Sequence, residues 1–107
     1  SLPQKLDRLL LRADEIRHAL NTADGAQVGA LSKELSELDP LVEKVQAYRA
    51  AERARDEAEA MLGDPDLKEL AEAEYLDLKD RVPALEREIR LMLLPPDVAD
   101  ERSAILE

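Results

Sequence analysis

Apolar residues recur along this 107-residue chain at alternating steps of three and four, and the rhythm persists over almost its whole length. Such steps return to one side of an α-helix, whereas on a strand they would scatter over both faces. Leu6, Leu9, Ala13, Ile16 and Leu20 make the first row. Val28, Leu31, Leu35, Leu38, Val42 and Val45 make the second, continued by Tyr48, Ala51, Ala54, Ala58 and Met61 with Leu62. Leu67, Ala71, Tyr75, Leu78, Val82, Leu85, Ile89 and Met92 make the third. Phe and Trp are absent and only Tyr48 and Tyr75 are aromatic, so the core must be built from aliphatic side chains. That suits helix packing better than a sandwich or barrel. The expected fold is all-α: three long antiparallel helices forming an elongated helical hairpin or bundle with coiled-coil-like packing.

Punctuation between the rows sets the expected boundaries. Pro3 fits a first helical turn, where its missing N–H costs nothing. Asn21 to Gly25 reads as a stop, with Gly25 free to take the left-handed conformation, which places the first helix at about residues 3 to 21. Pro40 lies inside the second row, yet the apolar phase is unchanged from Leu35 through Val45. One kinked helix is therefore favoured over a fresh start with Asp39 as N-cap and Pro40 in the first turn. Gly63 ends the second segment, and Asp64-Pro65 reads as N-cap and first residue of the third. The third row runs in phase through Pro83 and stops at Pro95-Pro96. Lys68 with Glu72, Asp77 with Arg81 and Glu86 with Arg90 are spaced for mutual support on exposed faces. A second helix of some 36 residues would be about 54 Å long, and the first roughly half that. The tip near Gly63 should then bury least. Residues 1–95 form the expected helical domain, and residues 96–107 a linker. Ile105-Leu106-Glu107 looks like the start of a strand, as though a further domain followed.

Catalytic chemistry finds no constellation. There is no cysteine to form a disulfide, a thiolate ligand or a nucleophile. His18 stands alone and off the apolar row, without a second histidine to share a metal. Carboxylates at helical contact spacing, such as Glu52 and Asp56, fall among Arg and Lys and read as surface pairs rather than a convergent acid–base site. Ser32, Ser36 and Ser103 lack a neighbouring base, and Gly25, Gly29 and Gly63 form no phosphate-cradling loop. The expectation is a non-enzyme without cofactor, metal or catalytic residues. A formal charge of −10 disfavours direct nucleic-acid binding. Its densest stretch is Asp64 to Asp80, where seven acids meet only Lys68 and Lys79. A solvated helix face accounts for such a run; the functional alternative is an acidic patch for a basic partner. No stretch of about 18 apolar residues could span a membrane and no charged-then-apolar leader is present, so the expected setting is the cytoplasm.

One segment carries a resemblance. Leu93-Leu94-Pro95-Pro96-Asp97-Val98-Ala99-Asp100-Glu101-Arg102-Ser103-Ala104-Ile105-Leu106-Glu107 resembles the junction of bacterial peptide chain release factor 1 (class I, UAA/UAG-type). There a helical N-terminal domain gives way to the codon-reading region. Pro96 stands where family members commonly have lysine. Met61-Leu62-Gly63-Asp64-Pro65-Asp66-Leu67 is similar to the family's hairpin tip, and Leu31-Ser32-Lys33-Glu34-Leu35 to its second helix. The junction resembles the UGA-reading sister factor less well. The family's stop-codon Pro-x-Thr motif and hydrolytic Gly-Gly-Gln loop are both missing from these 107 residues. The resemblance therefore implies a docking share in translation termination, with the ribosome (the large-subunit stalk base) and the recycling GTPase release factor as partners. It supplies no partner-binding residue. The alternatives are a stand-alone coiled-coil interaction module, supported by the heptads, and a tRNA-binding helical arm, which the excess acid opposes.

Overall fold

In a computed structural model of the chain, residues 1–97 are described; the predicted strand start at Ile105 and the side chain of Ser103 lie outside them. The described residues form three helices, α1 (Leu2–Ala19), α2 (Gly25–Met61) and α3 (Lys68–Met92). They divide into two compact units, Ser1–Val45 and Gln46–Glu107, with α2 passing from one to the other.

In the first unit the buried residues are Leu6, Ala13 and Ile16 of α1 and Val42 and Val45 of α2, all members of the predicted rows. Two arginines bracket this seam. The Arg12 Nε and Nη2 groups donate to the two carboxylate oxygens of Glu34 at 2.6 and 2.8 Å. Five residues on, Arg17 reaches Asp39 at 3.4 Å. At 3.6 residues per turn, five residues separate two side chains by about 140° around a helix, so the arginines leave α1 on either side of its apolar stripe. The forked pairing holds the Glu34 carboxyl below the usual carboxylate range, chiefly through its hydrogen bonds from Arg12.

The α1–α2 turn departs from expectation. α1 ends through Leu20, still in the right-handed helical region, with Arg17 in its last turn, where a cation suits the helix dipole. Gly25 takes no left-handed conformation; it is the first residue of α2. The device that starts α2 is a reciprocal cap. Gln27 N–H donates to Asp24 Oδ1 at 3.0 Å, and Asp24 N–H donates to Gln27 Oε1 at 3.2 Å. Two otherwise orphaned N–H groups at the helix start are thereby satisfied.

In the second unit Tyr48, Ala51 and Ala58 of α2 and Ala71, Val82, Leu85 and Ile89 of α3 are buried. Tyr48 meets Glu86, and Ala54 lies beside Asp77 and Leu78, so the partners advance in opposite chain directions and this pair of segments is an antiparallel hairpin. Alanine at 51, 58 and 71 keeps the side chains between the helices small, which permits close axial approach.

Helices α2 and α3 run unbroken through Pro40 and Pro83, so the fresh start at Asp39 does not occur. Each proline removes the hydrogen bond that the carbonyl four residues earlier would accept. Pro40 and Pro83 are exposed, as are Ser36 and Lys79, which leaves the freed carbonyls on faces open to water.

Candidate docking surface

The helix-to-helix connection in the second unit is where the chain buries least. From Glu59 to Leu70 every residue is exposed except Leu62, which is half-buried. The turn is organised by local bonds: Leu62 N–H to the Glu59 carbonyl at 3.2 Å, Asp64 N–H to the Met61 carbonyl at 3.0 Å, and Leu67 N–H to the Asp64 carbonyl at 3.0 Å. Asp64 does not cap α3 as expected. Its Oδ1 accepts from Asp66 N–H two residues on, at 3.0 Å, an Asx turn that competes with helix entry. α3 begins three residues later than Pro65 would place it, after Leu67, which makes no side-chain cap.

This turn displays apolar side chains that a folded core would normally take in. Met61 is 41% exposed, Leu67 40% and Leu70 66%. Around them stand Asp64, Asp66, Glu69, Glu72 and Glu74, all exposed. Lys68 offsets little of that charge and already pairs with Glu72 at 3.9 Å. The acidic run is thus solvated throughout, and leucine and methionine lie within it. Such a surface offers dispersion and desolvation to an apolar anchor, and a negative field to a basic rim.

The other predicted candidates stay apart. His18 is exposed near the end of α1, and Ser32 and Ser36 are exposed on α2. Among the described residues no group of three or more His, Cys, Asp or Glu is placed to hold a metal ion. A Cβ added at Gly25 or Gly29 would meet nothing within 4 Å, so neither glycine marks a close approach of backbone to a ligand. No described helix is long and apolar enough to cross a membrane.

One polar contact sits inside the second unit. Tyr48 is 8% exposed, and its hydroxyl donates to Glu86 Oε1 at 3.2 Å. Burial first, then the negative charges of Glu52 and Glu86, push the phenol pKa up to about 12. Glu86 also accepts from Arg90 Nε at 3.3 Å, so its carboxylate is held from two sides. This contact orders the α2–α3 pairing and offers no reactive group at neutral pH.

Comparison with known proteins decides the family. The PCRF domain family matches residues 9–107 of this chain. The chain belongs to the peptide chain release factor family. Relatives named peptide chain release factor 1 include those of Acidiphilium cryptum, 56% identical over all of this chain, and Granulibacter bethesdensis, 52% identical over all of it. A third, from Gluconacetobacter diazotrophicus, is 44% identical over 99%. The chain spans only about 31% of the length of the first two and 30% of the third. No solved structure gives a significant match. The release-factor resemblance read from Leu93 to Glu107 and from the Gly63 turn is therefore upheld by the whole chain.

Proposed function

We propose that this chain is the non-catalytic N-terminal docking domain of a peptide chain release factor that directs translation termination at UAA and UAG codons in the cytoplasm. Residues 1–95 are the domain, and residues 96–107 lead towards the codon-recognition region. The observation that supports docking is the α2–α3 turn, where Met61, Leu67 and Leu70 remain exposed amid acids. Three large apolar side chains thus stand in water within ten residues of one turn, and clustered apolar surface marks contact sites. The negative field selects a basic protein surface and repels bare phosphate backbone. The partner we assign is the base of the large-subunit stalk, with the recycling GTPase release factor as a second partner for the domain.

The test uses the full-length factor. The triple substitution Asp64→Lys, Asp66→Lys and Glu69→Lys, and separately Leu70→Asp, should raise the half-saturating concentration for peptide release on stop-programmed ribosomes about ten-fold. The rate at saturation should hold. Unchanged half-saturation in both variants, with helicity intact by far-ultraviolet dichroism, would refute the assignment of the turn.

A further inference from the structure

Sulfur is scarce in this chain and lies outside its core. The sequence holds two methionines, Met61 and Met92, and no cysteine. Methionine is ordinarily among the residues most often buried, where its flexible thioether fills gaps between aliphatic side chains. Here neither is buried: Met61 is 41% exposed and Met92 42%. Each closes a helix, Met61 as the last residue of α2 and Met92 as the last of α3. The two thioethers thus present similar area to solvent in different settings. Met61 opens the acidic turn, ahead of exposed Leu67 and Leu70 and the carboxylates of Asp64, Asp66 and Glu69. Met92 stands about 33 Å along α3 from Leu70.

We infer, on the reading of the α2–α3 turn as the docking surface, that Met61 is a modification site at which a peroxide-class oxidant weakens docking reversibly. The thioether sulfur of Met61 attacks one oxygen of the peroxide, and the O–O bond breaks. That oxygen stays on sulfur as a sulfoxide, and the other leaves with both peroxide protons as water, so sulfur is oxidised and the peroxide reduced. A thiol-driven methionine sulfoxide reductase returns the thioether. Oxidation replaces a soft apolar contact with a polar, hydrated group. The new oxygen is a hydrogen-bond acceptor, and so are the ionised carboxylates of Asp64, Asp66 and Glu69, which can donate nothing to it. Lys68 already pairs with Glu72 at 3.9 Å. Covering the sulfoxide with a partner therefore strips it of water at a cost that the thioether does not carry. The fold itself is spared. Ala51, Ala58, Ala71, Val82, Leu85 and Ile89 make the hairpin core, and no sulfur lies among them. The change falls on contact rather than on stability, which separates a switch from a lesion.

The test oxidises the full-length factor with hydrogen peroxide, removes the oxidant, and measures peptide release on stop-programmed ribosomes. Sulfoxide at positions 61 and 92 is quantified by peptide mass spectrometry, and each protein is compared with itself before oxidation. Both methionines should oxidise at similar rates. The half-saturating concentration should rise about five-fold in the unaltered factor and in Met92→Leu, but not in Met61→Leu, and a sulfoxide reductase should reverse the rise. An equal rise in Met61→Leu would overturn the inference, because the sensitive sulfur would then lie elsewhere. Resistance of Met61 to peroxide would overturn it too. Leu70→Asp separates the two readings. A shift in half-saturation for Leu70→Asp without one on oxidation sinks the redox site and leaves the docking surface standing. Silence in both sinks the docking surface and the redox site with it.

Discussion

Replacing Tyr48 by phenylalanine should make the fold less sensitive to pH between 10 and 12, where the unaltered chain loses the part of its stability that depends on a neutral phenol. In the folded chain the phenol pKa is raised to about 12 by burial and by the Glu52 and Glu86 carboxylates, against 10.0 for an unperturbed tyrosine. The sign follows from proton counting. Between those two values the unfolded chain has released the proton and the folded chain still holds it, so stability falls as pH rises. The contribution is fully present below pH 10 and lost by about pH 12. Each pKa unit corresponds to about 1.4 kcal/mol, so the loss attributable to this side chain is roughly 2 to 3 kcal/mol. At pH 7 the substitution removes one hydrogen bond and should cost only about 1 kcal/mol, because Glu86 retains its contact with Arg90. Urea unfolding followed by far-ultraviolet dichroism, at half-unit steps from pH 7 to 12, measures both proteins. Lysine deprotonation affects both equally, so the difference between the curves isolates Tyr48. Parallel curves above pH 10 would show that the phenol is not held neutral by its surroundings, and the account of this contact would fail.

Other perturbations probe the remaining devices. Ile89→Ala empties a fully buried position in the α2–α3 hairpin and should lower unfolding free energy by about 3 to 4 kcal/mol in the same urea assay. Asp24→Ala removes one side of the reciprocal cap and should cost about 1 kcal/mol, whereas Gly25→Ala, with open space around its Cβ, should not destabilise. Pro40→Ala restores a hydrogen bond donor within an unbroken helix and should raise stability by about 1 to 3 kcal/mol, seen as a higher urea midpoint. Glu34→Gln should flatten the acid limb of the stability curve. With its folded pKa lowered, Glu34 contributes above its ordinary value of 4.5, and that contribution disappears as pH falls through the folded pKa, which stepwise acid titration by dichroism will reveal.

Much of this architecture is legible in the order of residues because burial on a helix obeys a simple period. Leu6, Ala13, Ile16, Val42, Val45, Tyr48, Val82, Leu85 and Ile89 all lie in rows visible before any coordinates, and all are buried. Continuity through Pro40 and Pro83 is legible for the same reason, since the apolar phase does not slip across either proline. The helix starts are another matter. Asp24 and Asp64 are both acids beside turn-forming residues, and their roles depend on partners. Gln27 lies three residues past Asp24 and completes a reciprocal cap, whereas Asp64 spends its carboxylate on Asp66 N–H. The Asp-x-x-Gln spacing was a readable signal for the first; the choice between Asx turn and helix cap at the second is set by backbone geometry. The row also overstates burial at its ends, as exposed Val28, Met61, Leu67 and Met92 show. Periodicity assigns a face to each side chain but cannot say whether another helix reaches it. For that reason the acidic stretch was visible from composition, while the leucines standing in it required the structure.

Both tyrosines, Tyr48 and Tyr75, belong to the unit that begins at Gln46, and the chain contains no tryptophan. Intrinsic emission therefore reports on that half alone, and the half before it is optically dark in the near ultraviolet. A denaturation followed in parallel by tyrosine fluorescence and by peptide-bond absorption will superimpose only when the two halves melt together. Any lag between the traces becomes a direct reading of how independently the dark half lets go.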